Sequence, residues 1–196
     1  MLASARACGL LGPGPIQGHI RHADVFIAAV ETIPSALLDL GSGAGVPGLV
    51  LARAWPTTAI VLLDSAARRG AFLEGAVAHL GLGEHVRVVV ARAEVAGRDA
   101  SLRGRFDVVT SRSFGPAAVT AECGAAFLAP AGLLLVSEPP GAPAERWPPA
   151  GLAALGLVDE GVTATAGAHV RRLRRNRPLA DSVPRRDGIP AQRPLF

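Results

Sequence analysis

The chain has 196 residues, of which 49% are hydrophobic and 18% charged, and its 20 basic and 16 acidic side chains leave a formal net charge of +4. That composition suits one domain with a sizeable buried core and excludes a disordered or fibrous chain. The longest uncharged run, Cys123–Ser137, is broken by Pro130 and Gly132 and is too short to span a bilayer, so no membrane attachment is expected.

Residues 1–35 read as a short helical segment. Arg6 and then Gly12-Pro13 interrupt its apolar stretch, so it lacks a secretory signal and a cytoplasmic location is expected. The run from Ala36, ALLDL, is a buried strand that opens into a glycine-rich loop, and LVLARAW continues as a helix. TAIVLLD (Thr58–Asp64) reads as a second strand. Ser65 can cap a helix over residues 66–80 that places Leu73, Val77 and Leu80 on one face before Gly81. EHVRVVVARAE makes a third strand and RFDVVTSRS a fourth, and Gly115-Pro116 starts the helix that contains Cys123. GLLLVSEPP makes a fifth strand, followed by a proline-rich loop and a short helix at residues 150–155. Segments near Val158–Ala166 and His169–Arg177 close the domain as a hairpin. Alternating strands and helices predict an α/β Rossmann-like fold, a mostly parallel seven-stranded sheet with a C-terminal antiparallel hairpin and helices on both faces. The predicted organisation is the N-terminal segment 1–35, a main domain over 36–178, and a basic tail over 179–196. Cys8 and Cys123 are too far apart and too isolated for a zinc site, and no metal is expected.

The chemistry concentrates in the loop after the first strand. Gly43, Gly45 and Gly48 satisfy the G-x-G-x-x-G dinucleotide pattern, which a glycine-rich chain also produces by chance. Asp39 discriminates, because a carboxylate beside a pyrophosphate repels it. The same carboxylate attracts the sulfonium and ammonium of S-adenosylmethionine, so D-x-G-x-G-x-G favours the methyl donor over NAD. Asp64, 19 residues after Gly45, is placed to accept ribose hydroxyls. Every basic residue is an arginine, and Arg171, Arg172, Arg174, Arg175, Arg185 and Arg186 crowd into the C-terminal region. Such a run suits RNA phosphates, and a solvated strand and tail is the other reading. His19, His22 (in IRHADVF), His79, His85 and His169 sit in no recognisable catalytic frame and read as structural or surface.

Taken together, DLGSGAGVPG, LLDSAARRGAFL, RAE, FDVVTSRS and the ending VPRRDGIPAQRPL resemble the ribosomal RNA small-subunit methyltransferase G family, also called glucose-inhibited division protein B. The resemblance runs from about Gly12 to the C-terminus. It implies an S-adenosylmethionine-dependent methyltransferase acting on N7 of a guanine in small-subunit rRNA, with the ribosomal subunit as partner through the basic tail, and a monomer. It also implies that Gly41 and Val46 touch the methionine part of the cofactor, that Ala93 and Glu94 meet its adenine, and that Arg112 stands beside the donor as the catalytic residue. Three features depart from the family: the N-terminal segment is short and lacks an Asn-Leu-Thr element, Glu138 stands where the family usually has lysine, and aromatic residues are few. Glu138 puts an anion on the expected substrate face, where an RNA backbone would be repelled. A methyltransferase for another RNA or a small molecule, or a non-catalytic RNA-binding relative, is the alternative these departures favour.

Overall fold

The computed structural model describes residues 1–165 and 167–196. Two helices, α1 (Leu2–Ala7) and α2 (Ile16–Ala28), precede β1 (Ala36–Leu40), α3 (Gly48–Ala54), β2 (Ala59–Asp64), α4 (Ala67–His79), β3 (Val86–Val90) and α5 (Ala93–Ala96). There follow β4 (Phe106–Ser111), α6 (Ala117–Ala125), β5 (Leu128–Glu138), a 3₁₀ turn at Ala144–Arg146, α7 (Pro149–Ala154), β6 (Leu157–Thr165), β7 (Ala168–Arg175) and α8 (Ile189–Gln192). The seven strands form one sheet in the order β3-β2-β1-β4-β5-β7-β6. All neighbours among β1–β5 are parallel, and β7 runs antiparallel to both β5 and β6. The expected sheet and its terminal hairpin are borne out.

Strand alternation splits the core into two layers. Leu38, Leu40, Val61, Leu63 and Val109 pack on one face with Cys123, Phe127 and Trp147, the side carrying α6 and α7. Leu37, Ile60, Leu62, Val108 and Leu135 pack on the other with Phe26, Leu49 and Leu73, the side carrying α2, α3 and α4. Period-two side-chain direction therefore puts Asp39 on the same face as Leu37, beneath α3. Burial also raises the Cys123 thiol well above its ordinary pKa, as fits a core residue.

Two local expectations are corrected. The third strand stops at Val90, and Ala93–Glu94 belongs to the short helix α5. Ser65 does not cap α4: the N-cap is Ala66 without a side-chain bond, and Asp64 Oδ1 accepts the Ala66 N–H at 2.9 Å. Asp64 thus fixes the turn that leads into the helix. The pairing of β6 with β7 slips between Asp159 and Val162, a bulge that leaves β6 irregular along the sheet edge. Among the described residues, no helix is long and apolar enough to cross a membrane.

Candidate functional site

The sheet order reverses at β1, whose neighbours are β2 and β4, and ligands of open α/β sheets bind where such strands end. Two adjoining cavities, of about 590 Å³ and about 280 Å³, lie there. The loop after β1 is stitched to β2, since the Gly41 and Ser42 N–H groups both donate to the Leu63 carbonyl at 2.8 and 3.0 Å. Gly41 has φ +70°, and a Cβ there would meet Phe114 Cδ2 at 2.7 Å, so this position admits only glycine. Gly41, Gly43 and Val46 line the larger cavity. Gly45 does not line either cavity: its φ of +82° and the 2.3 Å approach of Leu49 Cδ1 to its Cβ position make it a turn-and-packing glycine.

Asp39 requires the largest correction. It lies within β1 rather than at its tip, is 1% exposed, and lines neither cavity. Its Oδ2 accepts the Gly48 N–H at 3.1 Å and its Oδ1 accepts the Thr110 hydroxyl at 2.8 Å. The carboxylate thus fastens the start of α3 and the neighbouring strand instead of meeting a ligand's cations. Burial pushes its pKa up to about 6, against the lowering pull of those hydrogen bonds and of Arg112.

Asp64, Ala93 and Glu94 line the smaller cavity together. Asp64 accepts one backbone N–H on each oxygen, from Gly43 at 2.9 Å and Ala66 at 2.9 Å, and a carboxylate has further lone pairs for hydroxyl groups. Glu94, 4% exposed, accepts from Arg92 at 3.0 Å and from the Gly188 N–H at 3.2 Å, both on Oε1. Among the described residues its Oε2 takes no bond. Arg92 also reaches Asp187 at 2.9 Å, and Ala191 lines this same cavity. The chain after β7 therefore folds back as a strap along the smaller cavity. Arg98 grips the Pro184 carbonyl at 2.6 Å, and Arg103 grips those of Ala180 and Val183.

Arg112, at the end of β4, lines the larger cavity and touches His19 from α2, Nη1 to Nδ1 at 3.3 Å. Burial lowers the guanidinium pKa and Asp39 raises it. On the next turn of α2, His22 Nε2 is 2.8 Å from Ser137 Oγ on β5. These two histidines, read from sequence as structural or surface, stand on the cavity wall with Arg112. Spacing carried the only sequence signal, for His19, His22, Ala23 and Phe26 fall on one helical face that buries Ala23 and Phe26. Ser137 and the positive-φ Ser113 (φ 59°) carried none.

Glu138 is also corrected. It is 4% exposed and turned inward, accepting Arg146 Nη1 at 3.2 and 3.3 Å and Trp147 Nε1 at 3.1 Å. Its charge is matched by Arg146 and Trp147, on the wall of a further cavity at the ends of β4 and β5. The C-terminal arginines are likewise committed. Arg171 pairs with Asp159, Arg172 with Glu31 and Glu160, and Arg174 with Glu160 at 2.7 Å. Arg175 bonds the carbonyls of Leu128 and Arg177, while Arg185 forks onto the buried Glu122 at 2.6–3.2 Å. Of the six arginines expected to meet RNA, Arg186 alone is exposed and without a side-chain partner among the described residues. A sequence count of cations could not see the acids folded against them.

Comparison with known proteins fits this geometry. Residues 16–138 match the family described as GidB, rRNA small subunit methyltransferase G. A protein of Moorella thermoacetica named ribosomal RNA small subunit methyltransferase G is 33% identical over 187 residues, covering 90% of this chain and 77% of its own length. A protein of the same name from Roseiflexus castenholzii is 38% identical over 175 residues, covering 83% and 72%. Among solved structures, a putative sarcosine dimethylglycine methyltransferase from Galdieria sulphuraria superposes with a TM-score of 0.61 at 14% identity, over 82% of this chain and 86% of that one. The structure of PigF with SAH gives 0.60 at 18% identity, over 79% and 54%. At such identities the likeness is one of fold.

Proposed function

Since the chain belongs to the rRNA small subunit methyltransferase G family, we propose that it transfers a methyl group from S-adenosylmethionine to N7 of a guanine in small-subunit ribosomal RNA. The observation that carries this reading is the family match over residues 16–138, which include the glycine loop, Asp64, Glu94 and Arg112. The donor cavities support it. Bare backbone at Gly41 and Gly43 and the Val46 side chain leave room for the methionine part, while Asp64 has lone pairs for ribose hydroxyls. That Ala93 and Glu94 line the same smaller cavity as Asp64 supports adenine contact there.

When bound, S-adenosylmethionine supplies an electrophilic methyl group on a sulfonium. Neutral guanine carries a lone pair on N7, so the chain's residues need not remove a proton before attack. Their task is to hold N7 in line with the methyl and to exclude water, which is catalysis by proximity. Arg112, held by His19, is the cation that orients the acceptor or its phosphate. Contact with the RNA backbone falls to Arg186 and to the arginines at the cavity rims, Arg69 and Arg146, whose side chains are partly exposed. The bonds from Arg146 and Trp147 to Glu138 offset the anion that would have opposed such contact.

The test is transfer of labelled methyl to small-subunit particles from a strain lacking this gene. Label recovered as 7-methylguanosine in the rRNA is the expected result. Transfer to another base, or none while cofactor binding is demonstrated in the same sample, would refute the proposal.

A further inference from the structure

A third cavity, of about 420 Å³, opens at the C-terminal ends of β4 and β5. We propose that it receives the acceptor guanine, and that His22 is a positioning residue that donates a hydrogen bond from Nδ1 to the base's O6. This rests on the guanine-N7 reading above.

The location comes first. His22, Ser113 and Ser137 line both this cavity and the larger donor cavity, and Ser113 also lines the smaller one. Those residues form the doorway through which a methyl group passes from donor to acceptor. Ser113 holds a left-handed backbone, costly for a residue with a Cβ and common where a site dictates the conformation. A second observation points to a ligand. Ser111 Oγ is buried on the wall of this cavity and has no hydrogen-bond partner among the described residues. Buried hydroxyls are normally satisfied, and the polar edge of a base would satisfy this one.

The chemistry of His22 follows from its neighbours. Burial first, then the charges of Arg112, His19 and His169, lower its pKa and keep the ring neutral. With the Ser137 hydroxyl taken as the donor to Nε2, 2.8 Å away, the neutral ring carries its proton on Nδ1. Nδ1 has no protein partner among the described residues. On guanine, O6 adjoins N7, so a single donor on O6 fixes that edge while leaving the N7 lone pair free. An arginine fork over O6 and N7 would occupy the nucleophile. Arg112 lines the larger donor cavity and not this one, and its Nη1 is turned to His19 at 3.3 Å, away from that edge. Adenine, which also has N7, offers an amino group at the same position, and two donors would then face each other.

The experiment compares the wild type and His22→Phe on small-subunit particles reconstituted with guanine or with 2-aminopurine at the acceptor position. The analogue keeps N7 and lacks O6. Wild type should lose about ten-fold in kcat/KM on the analogue, the worth of one hydrogen bond. His22→Phe should lose about ten-fold on guanine and nothing further on the analogue, because the two changes remove one interaction. Ser137→Ala, which releases the ring proton, should give a smaller loss on guanine and a correspondingly partial loss of discrimination. Equal rates for wild type on both bases would overturn the inference without any variant, as would a His22→Phe enzyme that still discriminates ten-fold. Wild type that methylates no particle at all overturns the guanine-N7 reading itself, and this inference with it.

Discussion

Replacing Asp39 with Asn tests the inward role of that carboxylate. In the folded chain its pKa stands at about 6 against an ordinary 3.8, chiefly through burial. At about 1.4 kcal/mol per pH unit, the ionised form costs the fold about 3 kcal/mol. Below the ordinary value both folded and unfolded chains hold the proton, and nothing is lost. Between there and about pH 6 the folded chain keeps the proton while the unfolded chain releases it. The contribution therefore falls as pH rises across that window and stays at its low value above it. Asn keeps the shape: its carbonyl can accept the Gly48 N–H and its amide can donate to Thr110, whose hydroxyl rotates to accept. Urea unfolding of both proteins at pH 4, 5, 6 and 7 should show Asp39→Asn gaining about 2 kcal/mol relative to wild type between the two ends of the series, since part of the change lies below pH 4. A difference that stays flat within about 1 kcal/mol would refute the argument, because an exposed, ligand-facing carboxylate titrates alike in both states.

Gly41→Ala should cost about 2 kcal/mol in unfolding free energy and at least about ten-fold in cofactor affinity by calorimetry, because both the positive φ and the Phe114 ring forbid a Cβ. Native stability and affinity would refute that geometry. Glu138→Lys, which writes in the family's usual residue, should lose about 3 kcal/mol rather than improve RNA binding, since it buries a cation against Arg146 and Trp147. A more stable protein with tighter RNA binding would show that the bonds from Arg146 and Trp147 do not hold Glu138 in place. Arg185→Ala should destabilise by about 3 kcal/mol by stranding the buried Glu122. Arg186→Glu should leave stability within about 0.5 kcal/mol and lower the salt dependence of RNA binding by about one counterion. Two variants that behave alike would return both residues to the solvent-facing tail.

The strands were legible because buried parallel strands are continuous apolar runs, and β1, β2, β4 and β5 each contain one. The glycine loop was legible for the same local reason, as few other functions call for so many bare residues after a strand. Asp39 teaches the opposite lesson. Its place in the pattern pointed to the methyl donor by way of a charge it does not present, because one residue of alternation turns it under α3. His19 and His22 were hidden because their partners Arg112 and Ser137 lie 93 and 115 positions away in the chain. The arginine cluster misled for that reason as well: Glu122 is 63 positions from Arg185, and Glu31 is 141 from Arg172. Local pattern reports which element a residue joins, and only tertiary packing reports which groups neutralise it.

The slip in β6 bears on how this protein behaves in a crowded solution. An outermost strand carries unpaired N–H and C=O groups that can recruit a strand from another molecule. Here Val158 and Val162 are exposed on that margin, which would favour such recruitment. The bulge between Asp159 and Val162 breaks the regular spacing a foreign strand must match, and the acids Asp159 and Glu160 stand at the break. The irregularity and the two acids thus make β6 a poor template for a strand from another molecule, which predicts little edge-to-edge association of this sheet.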